Sequence, residues 1–248
     1  MTGPRNLGAG GLAAGPGAGP AAPVPAAPVP PAPRQRQRDT TAVRRLPEKQ
    51  VRDRQALDAV LDAALAVHVA VVDGDLPYVV PMGCARDRDE LLVHGSTASR
   101  TMRALAAGRP TCATVTLLDG VVVARSRFES SMRYRCAMVF GSFWALHGRE
   151  KERALDVLSR RLLPGVEGQR EPSARELAAT AVLAMPIEAW SLKVSAGFPD
   201  DAAEDLERPV WAGVVPLRHA WGEPQPAPDL APGQAEPGAL RRWPEGRA

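Results

Sequence analysis

The chain has 248 residues, with 31 Lys and Arg against 28 Asp and Glu, so its formal net charge is only +3. Residues 1–54 hold nine basic and three acidic side chains, whereas residues 55–222 hold nineteen and twenty-one. A nearly neutral central region argues against nucleic-acid binding by a folded domain. The three cysteines, Cys84, Cys112 and Cys136, form no CxxC pair, which indicates small core residues rather than a metal site or a disulfide framework.

Both ends of the chain are poor in large apolar side chains. Residues 1–39 are mostly Pro, Ala and Gly, and residues 223–248 have a similar, Pro-rich composition. Because such segments bury too little apolar surface to offset the entropy of ordering, we predict a disordered arm and a disordered tail around one folded domain at residues 40–222. No apolar run is long enough to span a bilayer, and the N-terminal residues lack the charged-then-apolar order of a signal peptide. The sequence therefore predicts a cytoplasmic protein without a membrane partner.

The first half of the central region combines helices with β-branched runs. Apolar residues recur at helical spacing in "DRQALDAVLDAALA", which predicts an amphipathic helix. Two apolar runs joined at "DGD" predict a β-hairpin, and "LLVH" predicts a third strand. A helix is predicted at residues 97–107, closed by Gly108.

The second half continues the β pattern. A hairpin is predicted about Asp119 and Gly120, and "RCAMVFGSFWAL" predicts a long strand. Helices near residues 149–163 and 173–184 precede a last predicted strand, "IEAWSLKVSA". Six or more strands, short hairpins and few helices favour a mainly β protein, a closed antiparallel barrel with flanking helices, over a doubly wound sheet.

The stretch "HGSTASRTMRAL", residues 94–105, passes from a strand through a short turn into a helix. The free N–H groups at a helix start bind phosphate readily, and hydroxyls with an arginine fork add further donors. The alternative is that Ser96 or Thr97 only caps the helix while Arg100 is solvated. The residues alone favour capping, because Ser and Thr are common at that position.

Four stretches together resemble the pyridoxamine 5'-phosphate oxidase-like flavin-binding split barrels, in the branch related to nitroimidazole-resistance proteins. They are "HVAVVDGDLPYVVPMG", "LLVHGSTASRTMRAL", "TVTLLDGVVVARSRFESSMRYRCAMVFG" and "WSLKVSAGFPDD", and the resemblance runs from about Arg44 to Leu217. It implies a six-stranded antiparallel FMN-binding split barrel. It also implies a homodimer, with FMN in two equivalent clefts between the subunits.

The resemblance further implies a set of cofactor-binding residues. Those that would hold the FMN phosphate, or lie beside it, are Ser99, Arg100, His94 and Ser96. Those that would follow the edge of the flavin ring, or lie one strand further on, are Val80, Pro81, Met82 and Thr116. Those that would reach the partner subunit's flavin are Ser131, Met132 and Tyr134, and those that would border the cofactor are Trp190 and Lys193.

Each of these assignments has a structural alternative that the residues leave open. His68 and His94 lie in apolar strands, where a histidine bonded to neighbouring backbone is at least as common as a functional one. Packing at a dimer interface would equally explain Met132 and Tyr134. Trp190 is also compatible with an ordinary core position, and Lys193 with an outward-pointing cation.

The sequence predicts an FMN-dependent oxidoreductase that passes hydride or electrons from reduced flavin to a small planar acceptor, such as a nitro compound, a quinone or another flavin. The extra basic residues of true pyridoxamine phosphate oxidases are not found, so vitamin B6 oxidation is not expected. No catalytic residue and no metal site is assigned. Two alternatives remain: the same barrel with haem or a deazaflavin, with His68 or His94 as haem ligand, and a non-catalytic flavin- or haem-binding carrier or sensor.

Overall fold

A computed structural model describes residues 40–243, apart from the side chain of Arg242. The predicted disordered arm, residues 1–39, lies outside the described residues, as do the last five residues of the predicted tail. Within the described range, no helix is long and apolar enough to span a membrane.

The described chain is mainly β. Its strands are β1 Gln50–Val51, β2 Ala66–Asp73, β3 Leu76–Asp87, β4 Glu90–Ser96, β5 Thr111–Val123, β6 Ser131–Gly141, β7 Trp144–Ala145, β8 Thr180–Pro186, β9 Ala189–Ser195 and β10 Gly213–Pro216. The α-helices that lie wholly within the described range are α1 Arg54–Ala63, α2 Arg100–Ala106, α3 Gly148–Leu162 and α4 Ala174–Ala179.

All the strand pairs are antiparallel and follow the order β1-β9-β6-β5-β2-β3-β4-β8-β7, with β10 beside β5. This arrangement confirms the predicted mainly β, split-barrel fold, but the barrel is not strictly closed. The strand order ends at the two-residue strands β1 and β7, which pair with β9 and β8 rather than with each other. β3 also changes partner along its length, pairing with β2 over Leu76–Gly83 and with β4 over Cys84–Asp87.

Alternation along the strands divides the apolar side chains between two cores. Inward residues such as Val67, Val69 and Leu192 fill the barrel and contact the buried face of α1. Outward residues of β4 and β8 form a smaller cluster beneath α3, with Leu92 and Leu158 among its members. Full burial of one such side chain contributes about 1.5–3 kcal/mol, so both clusters stabilise the sheet.

The predicted long strand "RCAMVFGSFWAL" is divided, because β6 ends at Gly141 and Trp144–Ala145 form the separate strand β7. Two further secondary-structure predictions are wrong, and the first concerns Asp119 and Gly120. β5 continues past them with a bulge, and the connection to β6 follows at residues 124–130. Gly120 has φ +154°, and a Cβ there would lie 2.6 Å from the carbonyl oxygen of Val215. The glycine therefore permits β10 to approach β5 closely, rather than forming a hairpin turn.

The second wrong prediction is a helix over the whole of residues 173–184. α4 ends at Ala179, and β8 follows at once. β8 is buried on both faces, with Leu183 and Met185 in the barrel core and Val182 and Ala184 in the cluster under α3. A run that is buried on both faces shows no alternation, so its periodicity does not distinguish a strand from a helix.

The described part of the tail makes defined contacts, although the sequence predicts disorder from residue 223. The indole N–H of Trp243 donates to the carbonyl oxygen of Pro164 at 3.0 Å. The ring centroids of Trp243 and Trp221 are 5.3 Å apart. Ala239 is buried. These contacts hold the chain against the segment that follows α3.

Candidate functional site

The change of partner along β3 leaves one of its edges open. Over Leu76–Met82 the strand pairs with β2, and no other strand of the described chain pairs with its second edge there. Val80 and Met82 point toward the barrel core, whereas Pro81 points outward. Such an edge offers backbone N–H and C=O groups to a planar heterocycle, except at Pro81, which has no N–H.

Arg100, the first residue of α2, lies beside the open part of β3. Its guanidinium carbon is 5.0 Å from the centre of the Tyr78 ring, and its Nη1 is 3.5 Å from Oδ2 of Asp73. The side chain nevertheless remains 67% exposed. An exposed ion pair of this kind contributes about 0–1 kcal/mol, so an anionic ligand can compete with Asp73 for the guanidinium.

Ser99 caps α2, so the prediction that Ser96 or Thr97 is the cap is wrong. The Ser99 Oγ accepts a hydrogen bond from the N–H of Met102 at 3.4 Å, and α2 begins three residues later than predicted. The Ser96 Oγ accepts from the N–H of Ala98 at 3.2 Å, and the Thr97 hydroxyl donates to the carbonyl oxygen of Ala179 at 3.2 Å. The three hydroxyls therefore shape the turn that presents Arg100.

Gly95 allows α2 to pack closely against the end of β4. A Cβ on Gly95 would lie 2.9 Å from Cγ of Met102, which is buried. This close approach keeps the turn that carries Ser96, Ser99 and Arg100 near the end of β4.

His68 and His94 both point outward and are exposed. His68 lies opposite Pro81 on β3 and Thr114 on β5, and His94 lies opposite Val182 on β8. No described side chain or backbone group forms a hydrogen bond with either imidazole. The alternative of a structural histidine bonded to backbone therefore has no support within residues 40–243, and each ring keeps a nitrogen available for a ligand.

Small, uncharged side chains surround His68 on the outer face of the sheet. Pro81 and Thr114 flank it across the strands, and Ala66 and Ala70 share its face along β2. Val79 lies opposite Ala70 and is 61% exposed. An exposed imidazole on an uncharged floor could hold a planar macrocycle through its iron.

Thr116, Ser131, Met132 and Tyr134 lie on β5 and β6, and the fold does not bring them to the open edge of β3 in the same chain. β6 is separated from β3 by β5 and β2. Ser131 and Met132 are exposed at the start of β6, Tyr134 is half-buried, and the Thr116 hydroxyl donates to Sγ of Cys136 at 3.6 Å.

Trp190 and Lys193 lie on β9, next to β6 and also away from β3. Trp190 is half-buried and packs against the barrel core, as its structural alternative predicts. The Lys193 Nζ donates to the carbonyl oxygen of Arg45 at 3.0 Å, so this cation holds the segment before β1.

Sequence reasoning did not find Tyr78 or Asp73, the two residues that contact Arg100. They lie in the β2–β3 hairpin, more than twenty positions earlier in the chain, and no motif links them to the α2 turn. The Tyr78 hydroxyl is buried without a hydrogen-bond partner in the described chain. Only the fold shows that the hairpin and the turn meet.

Cys84 is buried in the barrel core, as the sequence predicts, whereas Cys112 and Cys136 are only half-buried and belong to neither core cluster. All three are free thiols, and burial raises the pKa of Cys84 to about 11. Burial also raises the pKa of Cys112. No group of three or more His, Cys, Asp or Glu in the described part of the chain is arranged to hold a metal ion. Thiolate chemistry at Cys84 and Cys112 is therefore disfavoured at neutral pH.

The chain belongs to the pyridoxamine 5'-phosphate oxidase family, whose model matches residues 53–194. It is similar to the FAD and haem binding protein from Mycobacterium smegmatis, with 48% identity and a TM-score of 0.75 over 78% of this chain and 96% of that chain. It is also similar to the flavocytochrome Anf3 from Azotobacter vinelandii, with 34% identity and a TM-score of 0.78 over 82% and 96%.

A third similar structure is a candidate 5-nitroimidazole antibiotic resistance protein from Bacteroides thetaiotaomicron. It has 26% identity and a TM-score of 0.50 over 58% of this chain and 86% of that chain. Among curated proteins, none matches the chain. The family and its nitroimidazole-resistance branch agree with the resemblance found in the sequence.

Proposed function

We propose that the chain is an oxidoreductase that binds a flavin along the open edge of β3 and a haem at His68, and that passes electrons between them. The observation that carries the proposal is His68 itself, an exposed imidazole without a protein partner in the described chain, at the centre of an uncharged face. The comparisons support it, because one relative is named as an FAD and haem binding protein and another as a flavocytochrome.

Arg100 is the proposed ligand of a flavin phosphate, with Ser96 and Ser99 beside it. The chemistry of this donor set fits a phosphate dianion, since a guanidinium offers a planar fork of N–H groups and the hydroxyls add neutral donors. The sequence predicts FMN, whereas FAD is the flavin named for the Mycobacterium smegmatis relative. We therefore propose FAD as the preferred ligand, and both flavins carry a phosphate that Arg100 would bind.

His68 is the proposed haem ligand in preference to His94. His68 lies within β2, between its partners Pro81 and Thr114, and has uncharged neighbours on its face. His94 lies near the end of β4, two residues before Ser96, on the side of β3 where the flavin phosphate is proposed. The two cofactors would thus lie on either side of β3, which would hold both in fixed positions.

The protein's own contribution is to bind and orient the two groups. When bound, flavin supplies hydride or single-electron transfer and haem supplies single-electron transfer. Pro81 would lie close to both groups, because it belongs to the open part of β3 and is also the cross-strand neighbour of His68. A small planar acceptor remains the proposed destination of the electrons.

The test is whether electrons reach the haem by way of the flavin. The full chain loaded with both groups is illuminated anaerobically with a photoreductant that reduces flavin, and the haem absorbance is followed. We expect haem reduction to follow flavin reduction, and to be much slower in protein that carries haem but no flavin. A haem that stays oxidised while the flavin is fully reduced would count against electron transfer between the two.

We also propose that the chain acts as a homodimer with the cofactor clefts at the interface. Exposed apolar side chains on the β2–β3 hairpin and at the start of β6 support this, since Leu76 is 65%, Val79 61% and Met132 51% exposed. In a dimer, Ser131, Met132 and Tyr134 of one subunit would reach the flavin of the other. Sedimentation analysis at micromolar concentration should show a dimer. A monomer that retains stoichiometric flavin would contradict the proposal.

A further inference from the structure

A cavity of about 340 Å³ lies at the edge of β2, next to the face that carries His68. β2 pairs with β5 only at His68 and Val69, and from Ala70 onward its edge faces α2 and the segment that leads into β5. The volume is at the lower end of the range of small-molecule sites, so it suits one edge of a ligand rather than a whole cofactor.

The cavity lies within reach of a ligand bound at His68. Ala70 and Val72 line it, and alternation places both on the same face of β2 as His68, whereas Val71, which also lines it, points into the barrel core. A strand rises about 3.3 Å per residue, so these two residues lie about 7 and 13 Å from His68 along β2. A planar ring centred above His68 and resting on Ala70 would extend toward the cavity.

Arg109 is the charged residue among those that line the cavity, and the other lining residues are apolar or, as with Thr111, already bonded. The Thr111 hydroxyl donates to the carbonyl oxygen of Ala70. Arg109 is exposed, and in the described chain it has no hydrogen bond or ion pair. A cation at the border of an apolar cavity is suited to a ligand that is apolar over its body and anionic at its rim.

We infer that Arg109 binds a propionate carboxylate of the haem, and so fixes the orientation of the ring above β2. The inference rests on the proposed binding of haem at His68. Haem is a planar apolar ring with two carboxylates on one edge. These parts match, in order along β2, the imidazole of His68, the apolar side chains of Ala70 and Val72, and the guanidinium of Arg109. The propionate edge would then lie toward the hairpin end of β2, and the guanidinium would form charge-assisted hydrogen bonds with the carboxylate.

The test compares haemin with haemin dimethyl ester, in which both propionates are neutral. The two ligands are titrated into the full chain, purified without haem, for wild type and for Arg109→Ala, Arg109→Lys and Arg149→Ala. Arg149 is exposed on α3, away from the cavity, and serves as the matched control. We expect Arg109→Ala to weaken haemin binding about 10-fold while leaving the ester unchanged. Arg109→Lys should retain much of the affinity, and Arg149→Ala all of it.

The outcomes separate this inference from the proposed function. Equal effects of Arg109→Ala on haemin and on the ester, or no effect on either, would overturn the role of Arg109 while haem binding at His68 stands. A wild-type chain that binds neither haemin nor the ester would overturn the haem proposal and this inference together. Thermal unfolding of each variant and its retention of flavin report whether the fold is intact.

Discussion

His68→Ala is expected to abolish stable haem binding and to leave flavin binding unchanged. Removal of a residue that hydrogen-bonds to a metal ligand lowers metal affinity about 10–100-fold. Removal of the ligand itself should therefore lower haem affinity by more than about 100-fold. The imidazole is exposed and makes no hydrogen bond with the described chain, so its removal should leave the barrel folded. Titration with haemin, followed by absorbance, measures the loss.

The matched control for this prediction is His94→Ala. His94 is the other exposed strand histidine without a bonded partner in the described region, and we expect that variant to retain haem. Free imidazole added to His68→Ala should restore part of the haem spectrum, because it can occupy the space of the missing ring. If His68→Ala retained haem and His94→Ala lost it, the iron ligand would be His94, and the proposed role of His68 would be wrong.

Arg100→Ala is expected to lower flavin nucleotide affinity without changing the fold. Charge-assisted hydrogen bonds contribute about 1.5–3 kcal/mol, which corresponds to a loss of roughly 10- to 150-fold. Because Arg100 is 67% exposed, we expect the lower part of that range. Titrating FAD, FMN and riboflavin separates the effects, since riboflavin lacks the phosphate and should be almost indifferent to the change.

Two variants near Arg100 serve as controls. Arg103→Ala removes a second arginine from α2, one that donates to the carbonyl oxygen of Ala98 at 3.0 Å, and it should leave phosphate selectivity unchanged. Asp73→Asn removes the carboxylate that competes for Arg100, so flavin nucleotide affinity should stay the same or rise. Equal losses of FMN and riboflavin in Arg100→Ala would mean that the α2 turn is not the phosphate site.

Much of the fold can be predicted from the sequence, because alternation and turn residues mark most of the barrel strands. The failures have local physical causes. β8 is buried on both faces, so its residues do not alternate between apolar and polar. Gly120 lies at a bulge in β5, where β10 approaches closely. The sequence around β10 does not predict a strand there. The split in the barrel depends on where β3 changes partner, a property of the register that no single strand encodes.

The candidate site also contains residues that the sequence predicts and residues that only the fold identifies. The turn that carries Ser99 and Arg100 has a recognisable local pattern, since hydroxyls and an arginine at a helix start have their own chemistry. Its neighbours Asp73 and Tyr78 come from the hairpin and are found only once the strands pair. The sequence gives no sign that Arg109 differs from any other arginine that follows a helix. Only its position at the cavity beside β2 marks it as a candidate ligand-binding residue.

The absorption spectrum of the purified full-length protein tests the central claim most directly. It should be recorded as isolated, after addition of FAD and haemin with removal of the excess, and after chemical reduction. We predict bands of a bound flavin and of a histidine-ligated haem in the same protein, with the flavin bands bleaching and the haem bands shifting on reduction. Protein that retains flavin but no haem after this treatment, or that retains neither, would contradict the assignment of both cofactors to this barrel.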